Sequence, residues 1–237
     1  MLSVRNDVVR RMRFFLDFDG TISTQDVVDV VLERFADKRW KEVEKEWAGG
    51  LIGSRECLSR QIAMIRATPE EIDSVLSSVK LDPYFVPFLK KARQWSIPVA
   101  IVSDGFDLFI ERVLKQNLGE ETGVLKGIPV FSNKLKKTAA GFQPFFTAET
   151  PCEHGCANCK EALIRKMSSP DAEIFFAGDG FSDRFAARAA HLTFAKGKLL
   201  TYCRENGIPH VAYENFKKIE ETMAQNHALL RKVPDGR

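Results

Sequence analysis

Three short apolar runs, Phe14-Phe15-Leu16, Val99-Ala100-Ile101-Val102 and Ile174-Phe175-Phe176-Ala177, each lead straight into small and acidic residues. The runs are continuous rather than alternating, as strands covered on both faces are, so they predict a parallel sheet with helices on either side. The polar clusters that follow are Asp17 to Thr21, Ser103 to Gly105 and Gly178 to Asp183. In an open α/β sheet ligands bind beyond the carboxyl ends of the strands, so the three clusters are expected to meet at one site. Weaker strand signals lie at Ile128 to Phe131, Leu192 to Ala195 and Ile208 to Ala212. The expected class is α/β with a Rossmann-like parallel sheet core.

The stretch from Ser23 to Lys80 has no strand signal. Val28, Val31, Leu32 and Phe35 share one helical face, as do Leu58, Ile62 and Ile65, and then Ile72, Val75, Leu76 and Val79. Thr68-Pro69-Glu70-Glu71 has the form of a capping box with proline at the first helical position. Gly49, Gly50 and Gly53 mark breaks between helices. A length of 237 residues suits one α/β domain with an insertion. Residues 1–22 and 81–237 are therefore expected to form the core, and residues 23–80 a helical cap. The chain would re-enter the core through a helix near Tyr84 to Trp95, and the charged tail after His227 is expected to fray.

Hydrophobic residues at 44% and charged residues at 28% allow a sizeable core. The formal net charge is only +3, and the lysines and arginines are interspersed with acids, which gives no footprint for nucleic acid. No apolar run approaches the ~20 residues of a membrane-spanning helix, and Met1 to Arg13 lacks the apolar stretch of a secretory signal. A cytoplasmic protein is expected, with its cysteines reduced or metal-bound rather than paired. Nothing in the sequence signals a particular oligomeric state.

Asp17-Phe18-Asp19-Gly20-Thr21 follows the first strand directly. An extended backbone points residues i and i+2 the same way, so the two carboxylates repel unless a cation or a proton separates them. One could attack phosphorus while the other moves a proton. Gly20 and Thr21 offer a tight turn with N–H groups toward an anion. The plainer alternatives are a surface turn here, a helix N-cap at Ser103, a solvated lysine at position 160, and an N-cap at Ser182 or Asp183.

Asp17 to Thr21 matches a D-x-D-G-T signature; Ser103, Lys160 and Gly178-Asp179-Gly180-Phe181-Ser182-Asp183 match three further motifs, in order. On these residues the chain resembles the haloacid dehalogenase (HAD) superfamily over nearly its whole length. The resemblance implies a Mg2+-dependent phosphatase that acts on a small phosphorylated metabolite through an aspartyl-phosphate. It implies that Asp17 is the nucleophile and Asp19 the general acid/base. Gly20, Thr21, Ser103, Asp104, Gly105 and Lys160 would bind the phosphoryl group. It implies Mg2+ ligation by the Asp17 carboxylate, the Asp19 carbonyl and Asp179, with Asp183 ligating or orienting a ligand. The cap would close over the site, and Trp40, Trp47, Arg55, Arg60 and Arg66 are its candidate substrate contacts.

Cys152-x3-Cys156-x2-Cys159 precedes Lys160. Its spacing is that of the iron–sulfur motif of radical S-adenosylmethionine enzymes, although its late position in the chain is not. Zinc with His154 as a fourth ligand is a second option, and a loop of reduced cysteines a third. This cysteine stretch, the Asp-Phe-Asp-Gly-Thr-Ile opening and Ser103-Asp104-Gly105-Phe106 resemble one HAD branch. Its members are the methionine-salvage phosphatases acting on 2-hydroxy-3-keto-5-methylthiopentenyl-1-phosphate. Phosphoserine phosphatases and phosphoethanolamine/phosphocholine phosphatases are similar at greater distance. Gly180-Phe181 departs from the salvage branch, and the bulky Phe181 is expected to reshape the pocket.

Overall fold

The computed structural model describes residues 12–138, 141–147 and 152–232, with side chains as far as residue 225. Seven strands form one sheet in the order β4-β3-β2-β1-β5-β6-β7. They are β1 (Met12–Leu16), β2 (Val99–Phe106), β3 (Val130–Thr138), β4 (Gly141–Phe145), β5 (Glu173–Gly178), β6 (Leu192–Ala195) and β7 (His210–Ala212). Every pairing is parallel except that of β3 with β4, an antiparallel hairpin at one edge. The helices are α1 (Val27–Phe35), α2 (Trp40–Ala48), α3 (Ser54–Ile62), α4 (Pro69–Leu76), α5 (Phe85–Gln94), α6 (Asp107–Leu118), α7 (Lys160–Met167), α8 (Arg184–Ala189), α9 (Gly197–Glu205) and α10 (Phe216–Lys232).

The three apolar runs are the adjacent central strands β2, β1 and β5. Neighbouring residues on β1 enter different cores, as the lack of alternation predicts. Phe14 and Leu16 join the cluster that includes Phe85, Phe88, Ile110 and Phe216, while Phe15 joins Val102, Ile164, Phe176 and Leu199 on the other face. Phe14 stacks between Phe175 and Phe194 at centroid distances of 5.9 and 5.6 Å and meets Phe88 edge-on at 5.2 Å. Such pairs add roughly 0.5–1.5 kcal/mol each beyond area burial. This aromatic layer fixes the two strands whose ends carry most of the polar clusters.

Helices α1 to α4 occupy the stretch between β1 and α5. The chain leaves and re-enters the sheet layer side by side: Ser23 bridges Leu81, Thr24 N–H donates to Lys80 O, and Asp82 N–H to Ile22 O. Helices α2 and α3 are separated at the predicted glycines, and Thr68 and Glu71 form the predicted reciprocal cap of α4. Three expectations differ. The strand signal at Ile128 to Phe131 becomes a longer strand that starts at Val130 and folds back into β4. Ser103 is not a helix N-cap, because β2 runs on to Phe106 and α6 starts at Asp107. The tail is helical as far as Lys232, in continuation of α10, whose first turn packs against α5 through Phe216 with Phe85 and Phe88, and residues 233–237 lie outside the described residues.

Candidate active site

The loop after β1 winds around one carbonyl. Phe18 O accepts the N–H groups of Thr21, Ile22 and Ser23, while the Phe18 ring is fully buried beneath. Gly20 takes φ +70°, where an L side chain is strained, and a Cβ there would fall 2.3 Å from Asp179 Oδ2. The loops after β1 and β5 therefore touch at this glycine. Asp17 extends the sheet ladder through its N–H to Ala177 O at 2.9 Å, which holds its carboxylate at the strand end beside the β5 loop.

Lys160, the first residue of α7, reaches into this space. Its Nζ lies 2.6 Å from Asp17 Oδ1 and 2.6 Å from Asp183 Oδ1, and all three side chains are buried. Burial disfavours its charge, but Asp17, Asp183 and Asp104 beside it push its pKa well above the usual lysine value. Asp183 reaches back across its own turn: its Oδ2 accepts N–H from Asp179 at 3.0 Å and Gly180 at 3.1 Å. Asp179 Oδ1 accepts the Thr21 hydroxyl at 3.2 Å.

The register between β2 and β3 shifts between Val102 and Phe106, and this freed segment carries the second cluster. Ser103 Oγ accepts the Gly105 N–H at 2.9 Å and donates to Asp19 Oδ2 at 3.1 Å. Gly105 has no side chain for a steric reason, since a Cβ would lie 2.6 Å from Asp19 Oδ2. Asp19 Oδ1 accepts the Val27 N–H at 2.9 Å, at the first turn of α1. The Asp104 carboxylate accepts the Ser54 hydroxyl at 3.0 Å, so it faces the start of α3.

The acids divide by environment. Burial, then the Asp183 charge, raise Asp17 well above the carboxylate range, against the pull of Lys160. Burial and Asp26 push Asp19 up to about 7. Burial, Asp183 and Asp26 do the same to Asp179, also to about 7. Asp17, Asp179 and Asp183 each offer an oxygen within 4.8 Å of the others. Carboxylates that repel one another this strongly, with only oxygen donors, fit a hard divalent cation. Asp183 has both oxygens committed to Lys160 and to two backbone N–H groups, which suits it to hold the loop rather than the ion.

Asp17, Asp19, Asp104, Gly105, Lys160 and Asp179 line a cavity of about 320 Å3, while Ser103, Thr21 and Asp183 stand behind it. Its floor holds Asp17, Asp19, Lys160 and Asp179; its walls include Asp26, Val28, Asp29, Glu44, Trp47, Leu58 and Phe181. Phe181 meets Trp47 edge-on at 6.0 Å and carries the Arg184 guanidinium on its ring at 3.9 Å. Of the five cap side chains expected near substrate, Trp47 lines this cavity. Trp40 is buried in the core. Arg60 pairs with Glu46, Arg66 binds the carbonyls of Ala63 and Ile65, and Arg55 lies over Phe146.

Several lining and supporting groups had no sequence signal. Ser54 bridges Asp104 and the Ala157 N–H, Asn158 donates to Ser103 O, and Asn133 donates to Asp104 O. None is a defining position of a motif, although Asn158 falls between Cys156 and Cys159. Asp26 and Asp29, one helical turn apart in position, could have been flagged as an acidic pair at a helix start. Cys152, Cys156 and Cys159 are all free thiols with sulfurs within 4.8 Å of one another, while His154 stacks on Phe185 at 3.8 Å.

A family model described as haloacid dehalogenase-like hydrolase matches residues 14–188. A curated relative from Geobacillus thermodenitrificans, a 2-hydroxy-3-keto-5-methylthiopentenyl-1-phosphate phosphatase, is 26% identical over 87% of this chain and 93% of its own. Among solved structures, a phosphoserine phosphatase bearing a phospho-aspartyl intermediate analogue superimposes with TM-score 0.66 at 17% identity, over 90% of this chain and 98% of that one. A probable phosphoserine phosphatase from Vibrio cholerae gives TM-score 0.69 at 16% identity, over 97% of this chain and 69% of that one. At such identities the structural matches speak for the fold. No helix among the described residues is long and apolar enough to cross a membrane.

Proposed function

The chain belongs to the haloacid dehalogenase-like hydrolases, and from that premise we propose that it is a Mg2+-dependent phosphomonoesterase working through an aspartyl-phosphate on Asp17. The observation that carries this reading is the cavity floor. A buried carboxylate at a strand end, Asp17, is paired with a buried lysine at 2.6 Å, and a second carboxylate pushed up to about 7 stands two residues along the chain.

The roles follow from the contacts. An Asp17 oxygen, in the ionised form that Lys160 at 2.6 Å favours against burial, attacks phosphorus and the ester P–O bond breaks. Asp19, whose burial raises its pKa to about 7 and so keeps an acid form populated, gives its proton to the leaving oxygen. In the second half Asp19 takes a proton from water, the water oxygen bonds to phosphorus, and inorganic phosphate leaves with Asp17 restored. Ser103 and the Val27 N–H hold Asp19 from two sides, which fixes the direction of its proton. Lys160 stabilises the charge shared by Asp17 and the phosphoryl oxygens. Asp17, Asp179 and the Asp19 carbonyl would hold Mg2+, which supplies a positive charge against the phosphoryl oxygens. Asp183 would hold the Asp179 loop for it. Gly20 and Gly105 make room for the Asp179 and Asp19 carboxylates. Thr21 spends its N–H on Phe18 O and its hydroxyl on Asp179 and so supports the metal ligand rather than the phosphoryl group, and residues 23–80 act as the cap.

For substrate we propose a small phosphorylated metabolite, first of all 2-hydroxy-3-keto-5-methylthiopentenyl-1-phosphate. The relative's activity supports this, as does a wall of Val28, Leu58, Trp47 and Phe181 against which an apolar thioether tail can lie. A second reading has an observation of its own. Asp26, Asp29 and Glu44 share the cavity, which favours a phosphoester carrying an ammonium group, such as phosphoserine, phosphoethanolamine or phosphocholine.

The test is phosphate release with Mg2+ from a panel of these esters plus an aryl phosphate, comparing wild type with Asp17→Asn. Release by wild type that drops at least about a thousandfold in the folded variant is the expected result, as for loss of a nucleophile. Turnover that survives in Asp17→Asn overturns the covalent route. The preferred ester chooses between the two substrate readings.

A further inference from the structure

Cys152, Cys156 and Cys159 take no part in the proposed hydrolysis, yet they converge. Their sulfurs lie within 4.8 Å of one another with no disulfide among them, and the Cys156 N–H already points at Cys152 Sγ at 3.3 Å. We propose that these three thiolates form a binding site for a single soft divalent cation, Zn2+, which fastens the loop that carries Lys160 to the first turn of α3.

The spacing of the sulfurs selects the occupant. With metal–sulfur bonds of ~2.3 Å, two thiolates on one tetrahedral ion stand roughly 3.8 Å apart, which sulfurs already within 4.8 Å of one another reach by moving about 1 Å or less. In a four-iron cluster each thiolate takes a different iron, which sets the cysteine sulfurs roughly 6 Å apart, wider than the 4.8 Å within which these three lie. Calcium and magnesium prefer oxygen donors and are excluded by the ligand type. The imidazole of His154 is laid flat on Phe185 at 3.8 Å, which leaves the fourth position to water. On binding, the three thiol protons pass to solvent.

The loop's contacts state what the ion would do. Gly155 O accepts the Arg55 N–H at 3.1 Å and Ala157 N–H donates to Ser54 Oγ at 2.8 Å, so residues 155–157 grip the first turn of α3. Asn158 donates to Ser103 O at 3.0 Å, and Lys160 follows at once. An ion tying Cys152 and Cys156 to Cys159 fixes that segment at both ends. The site thus positions Lys160 and the α3 clasp without touching substrate.

The test needs no turnover, so it is separable from the phosphatase reading. Purified wild type is stripped with a chelator, then titrated with Co2+ alone. The expected result is an intense thiolate-to-cobalt charge-transfer absorption saturating at one equivalent and bleached by one equivalent of Zn2+. Cobalt on carboxylates gives no such absorption, so the Asp17–Asp179 site does not interfere. Cys152→Ser and Cys156→Ser should each weaken Co2+ binding by at least about tenfold, whereas Cys57→Ser and Cys203→Ser should leave it unchanged. Amide exchange at Arg55 and Ala157 should slow by about tenfold or more when Zn2+ is restored. A wild-type titration without charge transfer overturns the site even if every variant misfolds. So does a brown, iron- and sulfide-containing protein, or exchange at Arg55 and Ala157 indifferent to Zn2+.

Discussion

Lys160 Nζ sits 2.6 Å from Asp17 Oδ1 while its other short contact, Asp183 Oδ1, is also at 2.6 Å, so one buried cation neutralises two loops. Removing one partner from a buried ionic group leaves the others uncompensated, at a cost of about 3–5 kcal/mol. Lys160→Met is therefore expected to lose about that much stability in denaturant melts and to lose phosphate release as well. Lys160→Met melting like wild type would mean that water or protonation of Asp17 replaces the lysine at no cost.

Asp183 offers a finer test of the same site. Its Oδ1 takes the lysine and its Oδ2 takes two backbone N–H groups. In Asp183→Asn one of these faces must meet an NH2, either toward Lys160 or toward the Asp179 and Gly180 amides. Leaving buried donors unsatisfied costs roughly 1–3 kcal/mol. Because those amides belong to the loop that presents Asp179, Mg2+ affinity should fall by about 10–100-fold, the usual range for loss of a group behind a metal ligand. The readout is the Mg2+ concentration giving half-maximal phosphate release. An unchanged value would confine Asp183 to holding Lys160.

How far the sequence carries can be judged from particular residues. Asp17, Gly20 and Asp179 were legible because strand-end position, local φ and charge are encoded within a few residues, whereas Lys160, whose partner Asp17 is 143 residues away, was legible only through its place in the order of the motifs. The aromatic layer around Phe14 was legible as a continuous apolar run, since burial on both faces leaves no alternation. The β3–β4 hairpin was not: Asn133, Lys134, Lys136 and Lys137 on β3 hide its period, and from Lys134 on β3 pairs with the edge strand β4, where a half-solvated pair needs little apolar character. Ser54, Asn133 and Asn158 were illegible for a different reason. Each bonds across at least 29 residues of sequence, |i−j| being 50, 29 and 55, and a single hydroxyl or amide carries no local pattern that announces its partner.

The cavity wall makes a prediction about pH. Burial first, then the charges of Asp26 and Glu44, push Asp29 up to about 8, against about 3.9 for an unfolded aspartate. The folded state therefore holds this proton more tightly than the unfolded one. Its contribution is fully present below pH ~4 and is lost as pH rises toward 8. Asp29→Asn cannot lose a proton, so the stability difference between variant and wild type should grow in the variant's favour from pH 4 to pH 8. Because Asp29 is partly exposed, solvent screening holds the gain at pH 8 to about 1 kcal/mol. Thermal melts of both proteins at pH 5 and pH 8 give the answer, and a gap that does not widen would mean that Asp29 ionises freely in the fold.

The clasp between α3 and the cysteine loop rests on two glycines pressed together. A Cβ on Gly53 would lie 2.5 Å from Gly155 O and 2.8 Å from its Cα. Both are backbone atoms, so no side-chain rotation relieves the clash. Gly155 cannot retreat cheaply, since it sits at φ +63° and its carbonyl holds the Arg55 N–H. Gly53→Ala is expected to push the loop off α3 at a cost of about 1–3 kcal/mol, breaking the Ala157–Ser54 bond with it. Its backbone is otherwise compatible with alanine, at φ −81° and ψ 164°, so any loss reports the contact rather than backbone strain. Exchange at the Arg55 and Ala157 amides should quicken in Gly53→Ala while amides of the central strands stay protected. Equal quickening throughout would place the damage in global stability and not in the clasp.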